Sequence, residues 1–231
     1  MKTIGLLGGM SWESSELYYR LINELVRERL GGLHSARSIM ASVDFADIER
    51  LQVTGSWDEA GRVLAEEARR LESAGADFIV LCTNTMHKVA AAIEGAVSIP
   101  LLHLADATAR AVNDTGITTV GLLGTAFTME QSFYKDRLAS HGLTVIVPNE
   151  SQRAIVHRVI YDELVLGVVT EASRQEYTTI IASLRDRGAE GVILGCTEIE
   201  LLIEQKDSPT PVFATTRIHA EAAVRMALAV G

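Results

Sequence analysis

The segment Phe78-Ile-Val-Leu-Cys-Thr83 decides the fold, because a similar apolar run ending in Cys-Thr recurs as Val192-Ile-Leu-Gly-Cys-Thr197 in the second half of the chain. A short apolar run bounded by turn-forming residues predicts a buried strand. Two more pairs match in the same order: Ile4-Gly-Leu-Leu-Gly8 with Val120-Gly-Leu-Leu-Gly124, and Ile99-Pro-Leu-Leu102 with Thr210-Pro-Val-Phe213. The period is too long for a solenoid and predicts the duplication of one α/β unit.

Helical stretches separate the predicted strands. Apolar residues at helical spacing predict helices over 13–29 and 58–74, the second stopped by Gly75. Strands that alternate with helices predict a parallel sheet covered on both faces. We therefore predict an α/β fold of two similar domains, each a parallel sheet flanked by helices, related by a pseudo-twofold duplication.

The duplication also suggests where the chain passes between the two domains. Pro100 and Pro211 occupy equivalent places in the repeat and are the predicted crossing points. The first domain would then comprise residues 1–99 plus 211–231, and the second residues 100–210. The C-terminal helix, predicted over 219–229, would return to the first domain.

Composition narrows the class of function. The 231 residues carry a formal net charge of -9, which argues against a nucleic-acid or anionic-membrane partner. No run approaches the ~20 apolar residues of a membrane helix, and the apolar N-terminal run is too short for a signal peptide. We expect a soluble, cytoplasmic protein. The two cysteines are too far apart for a metal-binding pattern of the CxxC kind, and no metal is predicted.

Both cysteines are predicted to lie where chemistry takes place in this kind of fold. Cys82 and Cys196 each follow a buried strand, and ligands bind at the carboxyl ends of strands in doubly wound sheets. A helix start after each cysteine would favour the thiolate and lower the thiol pKa. If the two halves pack edge to edge, the thiols face each other across one cleft. One thiolate and one thiol could then exchange protons on opposite faces of a stereocentre.

The residues beside the cysteines are suited to a carboxylate ligand. Cys82-Thr83-Asn84-Thr85 and Cys196-Thr197-Glu198 combine hydroxyl and amide donors with backbone N–H groups, a combination that binds anions. Helix capping is the alternative role of Asn84, Thr85 and Thr197, and turn formation that of Thr125 and Thr128. The short glycine turns contain no GxGxxG or Walker motif, so a nucleotide is disfavoured.

At this point three motifs are recognisable. Leu7-Gly-Gly-Met-Ser-Trp-Glu-Ser14, Cys82-Thr-Asn-Thr85 and Gly195-Cys-Thr-Glu-Ile199 resemble the aspartate/glutamate racemase family, most closely its aspartate-racemase branch and the broad-specificity amino-acid racemases. The resemblance spans the whole chain. It implies two flavodoxin-like domains, amino-acid racemisation by two cysteines, no pyridoxal phosphate or other cofactor, and often a homodimer.

The resemblance also implies roles for individual residues. Cys82 and Cys196 match the catalytic pair. The positions expected to hold the substrate are Met10, Gln52, Asn84, Thr85, Thr125, Thr128 and Thr197. The sequence departs from glutamate racemases of the cell-wall type, which carry Asp-Ser near the first strand and His after the second Cys-Thr. Gly9-Met10 and Glu198 stand there instead, which argues against that role. Some aspartate racemases also use basic side chains near the cysteines, and the sequence places none there, which allows a broader or uncharged substrate.

Three other functions remain open. A maleate-type cis–trans isomerase could use the same cysteine pair, with one thiolate adding to a double bond. An amino-acid binding protein without catalysis would tolerate Cys→Ser at both sites. A thiol redox protein is disfavoured, because a cleft wide enough for an amino acid would hold the sulfur atoms beyond disulfide range.

Overall fold

The computed structural model describes residues 1–229, which form two compact units. The first unit contains residues 1–104 and 219–229, and the second contains Ala105–Ile218. The elements of the first unit are β1 (Ile4–Gly8), α1 (Trp12–Leu30), β2 (Ser38–Ser42), α2 (Phe45–Val53), α3 (Trp57–Ser73), β3 (Phe78–Leu81), a 3-10 helix (Thr85–Val89), α4 (Ala90–Glu94) and β4 (Leu101–Leu102).

The second unit repeats this sequence of elements. α5 (Leu104–Asn113) begins at the last residue of the first unit's main segment and continues into the second unit. The second unit further contains β5 (Thr119–Gly124), α6 (Ala126–Glu130), α7 (Ser132–Ser140), β6 (Thr144–Ile146), α8 (Glu150–Asp162), a 3-10 turn (Leu164–Leu166), α9 (Glu171–Asp186), β7 (Gly191–Gly195), α10 (Ile199–Leu202), a 3-10 turn (Gln205–Asp207) and β8 (Val212–Ala214). The last helix, α11 (Thr215–Leu228), begins in this unit and continues into the first.

Each unit is built on a parallel four-stranded sheet. The strand orders are β2-β1-β3-β4 and β6-β5-β7-β8, the same order in both and the order of flavodoxin-like sheets. The central strands are in equivalent registers, since Leu7 pairs with Leu81 in one sheet and Leu123 with Leu194 in the other. The predicted α/β fold with two flavodoxin-like units is confirmed.

Local signals explain why the helices begin and end where they do. The Ser11 side chain accepts a hydrogen bond from the Ser14 N–H at the start of α1, and Gly31 follows its last residue with a positive φ of 73°. Both features are typical of helix ends. The helices predicted over 13–29 and 58–74 correspond to α1 and α3, with ends that differ by one residue.

The crossings between units lie a few residues later than Pro100 and Pro211. β4 follows Pro100 but pairs with β3, through Ile79 opposite Leu101, so it completes the first sheet. β8 follows Pro211 and completes the second sheet in the same way by pairing with β7. The last strand of each sheet is still part of the unit whose sheet it completes. Each crossing therefore falls in the helix that follows this strand, at the start of α5 or within α11.

Apolar faces of helices cover each sheet. In the first unit, α1 and α11 pack on one side of the sheet, where Tyr18, Ile22 and Ala223 join Ile4 and Phe78 in one buried cluster. In the second unit, α8 and α9 cover β5 and β7 in the same manner. No helix within residues 1–229 combines the length and apolar character that crossing a membrane requires.

Candidate active site

Cys82 directly follows β3 at the carboxyl end of the first sheet. Its N–H donates to the Leu7 carbonyl at 2.9 Å, and its own carbonyl accepts from the Ser14 hydroxyl at 3.0 Å. The thiol is completely buried, and its sulfur lies 3.6 Å from the carbonyl oxygen of Val80, a weak contact. A backbone bond to β1 and a side-chain bond from Ser14 of α1 therefore hold this cysteine in place.

The turn after Cys82 is held by a histidine. The Nδ1 atom of His87 lies 2.7 Å from the Thr83 carbonyl oxygen, and its Nε2 atom lies 3.1 Å from the Leu104 backbone nitrogen. A carbonyl only accepts and an amide N–H only donates, so Nδ1 carries the proton and Nε2 carries none. The imidazole is thus a neutral ring of one tautomer that joins the cysteine turn to the segment after β4.

The other predicted substrate residues of the first unit are buried near this edge. Met10 follows β1 and packs in the same apolar cluster as Met86, while Asn84 and Thr85 begin the 3-10 helix. Gln52 reaches from α2, and its amide nitrogen lies 3.0 Å from the Met86 sulfur. The Gln52 side-chain oxygen is buried and has no hydrogen-bond partner within the described part of the chain.

Cys196 directly follows β7, the strand equivalent to β3. Its thiol donates to the Glu198 carboxylate, with 3.0 Å between Sγ and Oε2. Cys196, Thr197 and Glu198 are all buried. The first turn of α10 forms here, because the Ile199 N–H donates to the Cys196 carbonyl and the Glu200 N–H to that of Thr197.

Thr125 and Thr128 lie at the neighbouring strand end of the second unit. Thr125 follows β5 as the cap of α6, and its hydroxyl accepts from the Thr128 N–H at 3.3 Å. The two hydroxyl oxygens are 3.2 Å apart and both side chains are buried. Gly124 and Gly195 pair across β5 and β7, and a Cβ on Gly124 would lie 2.8 Å from the Gly195 carbonyl oxygen. The strand ends therefore approach each other too closely for side chains.

The predicted site residues thus fall into two groups, one in each unit. Each group includes one cysteine, which follows a central strand at its carboxyl end. The first contains Met10, Gln52, Cys82, Asn84 and Thr85, and the second contains Thr125, Thr128, Cys196 and Thr197. Both groups consist of proton donors and acceptors that can hold a small polar molecule.

The expected lowering of the thiol pKa by helix N-termini is wrong. Burial raises the pKa of the Cys82 thiol, and burial together with the Glu198 carboxylate raises that of Cys196 well above its ordinary value. The helical segments that follow, Thr85–Val89 and Ile199–Leu202, are short and supply little dipole field. Burial thus favours the protonated form of both cysteines, and the Glu198 carboxylate adds to this preference at Cys196.

Nearby carboxyl groups extend the polar surroundings of Cys196. Glu200 accepts a hydrogen bond from the Thr216 N–H at 2.8 Å, and burial raises the pKa of its carboxyl to about 7. Within residues 1–229, no three His, Cys, Asp or Glu side chains are grouped so that they could hold a metal ion.

Sequence reasoning missed or underweighted four of the residues that shape these sites. The Ser14 hydroxyl donates to the Cys82 carbonyl, and the Ser15 hydroxyl accepts from the Gly9 N–H at 2.7 Å. His87 supports the cysteine turn through the Thr83 carbonyl, and Glu198 contacts the Cys196 sulfur. For Glu198 the sequence did hold a signal, because a residue two positions after a cysteine at a helix start can reach back to its sulfur.

Comparisons with known proteins extend over both units. A family model described as Asp/Glu/hydantoin racemase matches residues 7–223. A solved structure from Yersinia pestis, described as a candidate Asp/Glu racemase, is 53% identical, with a TM-score of 0.94 and coverage of 99% of this chain and 100% of that one. An aspartate racemase homologue from Pyrococcus horikoshii OT3 is 34% identical, with a TM-score of 0.87 and coverage of 98% and 99%. A broad-specificity amino-acid racemase of Bacillus subtilis is 26% identical over 175 residues, 74% of each chain.

Proposed function

The chain belongs to the Asp/Glu/hydantoin racemase family, and we propose that it inverts the α-carbon of an amino acid with Cys82 and Cys196 as the two proton-transfer groups. The enzyme class predicted from the sequence, an amino-acid racemase, is confirmed by this membership. The observation that supports the two-cysteine mechanism is the equivalent placement of both thiols, each directly after the third strand of its sheet.

The proposed reaction needs one cysteine as thiolate and the other as thiol. The thiolate removes the α-proton, so that the Cα–H bond breaks and an S–H bond forms. The opposite thiol gives its proton to the other face of the α-carbon, and a new Cα–H bond forms with inverted configuration. A thiol can fill both roles, because its sulfur takes up a proton as thiolate and gives one up as thiol.

The remaining site residues are proposed to hold the charged groups of the amino acid. Hydroxyl and backbone N–H donors of Thr85, Thr125, Thr128 and Thr197 suit a carboxylate, and the carbonyl oxygen of the Gln52 amide suits an ammonium group. Asn84 can serve either group. Met10 adds an apolar wall beside them.

The proposed substrate range includes neutral amino acids as well as aspartate and glutamate. Similarity to a broad-specificity racemase of Bacillus subtilis supports the wider range, and similarity to an aspartate racemase homologue supports the acidic substrates. The homodimer and the cytoplasmic location stay predictions.

The experiment is α-proton exchange in D₂O, followed by NMR and chiral chromatography, with no cofactor added. L- and D-aspartate, glutamate and a panel of neutral amino acids are the substrates. Wild type, Cys82→Ser, Cys196→Ser and the double variant are compared, with folding of each checked by circular dichroism.

We expect wild type to exchange and invert at least one amino acid, and each single variant to lose inversion. Inversion that survives in a folded single variant would overturn the two-cysteine mechanism. If wild type exchanges no α-proton, racemisation fails, and turnover of maleate or binding without chemistry becomes the next candidate.

A further inference from the structure

The contact between Cys196 and Glu198 is produced by the backbone turn that follows β7. Glu198 has helical dihedral angles, φ −68° and ψ −26°, and precedes α10. This turn brings a side chain two residues along the chain back to the sulfur, where Sγ and Oε2 are 3.0 Å apart. Both residues are only 8% exposed, so water screens their interaction weakly.

The two units differ at the residue that makes this contact, as their equivalent cysteine segments show. Cys82-Thr83-Asn84 is the counterpart of Cys196-Thr197-Glu198, and an amide therefore stands where the second unit has a carboxyl group. An amide carries no negative charge at any ordinary pH. The Cys82 sulfur lies 3.6 Å from a backbone carbonyl oxygen, that of Val80.

We propose that Glu198 holds the thiol proton of Cys196 in the resting protein, so that Cys196 is the proton donor and Cys82 the proton acceptor in the first half of turnover. The assignment of these roles in turnover rests on the proposed function. The holding of the proton rests on the 3.0 Å contact and on the asymmetry between Glu198 and Asn84.

Electrostatics supports this direction. A thiolate at Cys196 would face the Glu198 carboxylate at hydrogen-bond distance, and two negative charges at that distance repel strongly in a buried site. The other titratable groups near Cys196 in its unit are Glu200 and Tyr177. A charge on either of them also disfavours the thiolate. Only the Glu198 backbone N–H, which donates to the sulfur, acts in the opposite sense, and its effect is the smaller one.

The proton balance of one turnover follows from this arrangement. Cys82 enters the reaction as thiolate, having lost its proton to solvent before the substrate binds. It takes the α-proton, and Cys196 gives its own proton to the opposite face. The reaction leaves Cys82 as thiol and Cys196 as thiolate. Repulsion by Glu198 then favours uptake of a proton from water at Cys196, which restores the donor. Cys82 releases the proton it took from the substrate to solvent, which restores the acceptor and closes the proton balance.

The test observes each thiol directly, without substrate. Wild type, Glu198→Gln and Asn84→Asp are labelled with [3-¹³C]cysteine, and because the chain has two cysteines, two resonances are followed by NMR. Spectra are recorded from about pH 6 up to the highest pH at which circular dichroism shows an intact fold, because burial raises both thiol pKa values above the ordinary value of about 8.5. Cys82→Ser and Cys196→Ser assign the resonances, and circular dichroism checks each fold.

In Glu198→Gln, whose amide has nearly the same shape, we expect the Cys196 titration to move to lower pH while that of Cys82 stays. Asn84→Asp places a carboxyl group at the equivalent position beside Cys82, and we expect it to move the Cys82 titration to higher pH. An unchanged or upward-shifted Cys196 titration in folded Glu198→Gln overturns the proposal, as does the absence of titration in both proteins.

The outcome is separate from that of the α-proton exchange experiment. If the thiols titrate as expected but wild type exchanges no amino acid, the proton-holding contact stands and racemisation fails. If wild type racemises but Glu198→Gln leaves Cys196 unchanged, racemisation stands and the role of Glu198 fails.

Discussion

His87 links the turn that carries Cys82 to the residue that ends the first unit's main segment, through Thr83 at 2.7 Å and Leu104 at 3.1 Å. Both ring nitrogens are engaged, and the side chain is buried. The imidazole therefore satisfies two backbone groups that have no access to water, one beside the thiol and one after β4.

Replacing His87 by leucine should cost about 2–4 kcal/mol of unfolding free energy, because a buried carbonyl and a buried N–H would each lose a partner. Racemase turnover should fall more than substrate affinity, since the cysteine turn loses its support. Urea unfolding and steady-state kinetics measure both effects. His34→Leu removes an exposed imidazole and is the matched control, expected to leave stability within about 0.5 kcal/mol. Equal stability of the two variants would contradict the linking role.

His219 should make the protein less stable in acid. The Tyr18 hydroxyl lies 2.9 Å from its Nδ1 atom and the Leu102 carbonyl oxygen 2.8 Å from its Nε2 atom, and burial lowers the pKa of the ring to about 4. An unfolded histidine binds its proton near pH 6.5, so between about pH 6.5 and pH 4 the unfolded state holds more protons. The contribution of His219 to the unfolding free energy is fully present above about pH 6.5. It is lost as the pH falls towards about 4, by about 3 kcal/mol in total.

Glu200 affects the pH dependence of stability in the opposite direction to His219, over an overlapping pH range. The pKa of its carboxyl is raised to about 7, so the folded state holds the extra proton and this contribution declines as the pH rises. The difference between wild type and His219→Gln isolates the histidine. We expect urea unfolding to show the variant losing less stability than wild type between about pH 7 and about pH 5. Parallel losses would show that His219 does not titrate as its burial implies.

Gln52 offers a test that separates binding from packing. Its buried side-chain oxygen has no hydrogen-bond partner among residues 1–229, a cost to folding that a bound ammonium group would remove. Gln52→Leu should therefore raise the unfolding free energy by about 1 kcal/mol and raise KM by about tenfold. Kinetics and urea unfolding on the same preparation give both numbers.

Gln131 provides the matched control for Gln52, because its side-chain oxygen is also buried without a partner in the described chain. Gln131→Leu should raise stability in the same way and leave KM unchanged. A Gln52→Leu enzyme that is destabilised, with normal KM, would assign Gln52 to packing alone.

Much of the fold follows from local pattern. The apolar runs at 4–8, 78–81, 120–124 and 191–195 became the two central strands of each sheet. β4 and β8 have two and three residues, too few for a pattern, and pairing with β3 and β7 alone makes them strands. This is why the predicted crossing points came too early.

The sequence by itself determined the duplication, the strand and helix order, and the position of each cysteine after an equivalent strand, because these depend on residue spacing within one segment. Only the tertiary structure decided the state of the thiols. Burial raises the pKa of both Cys82 and Cys196, and Glu198 adds to that rise at Cys196. Desolvation and charge proximity depend on which distant elements surround a group, and no local pattern of residues encodes them.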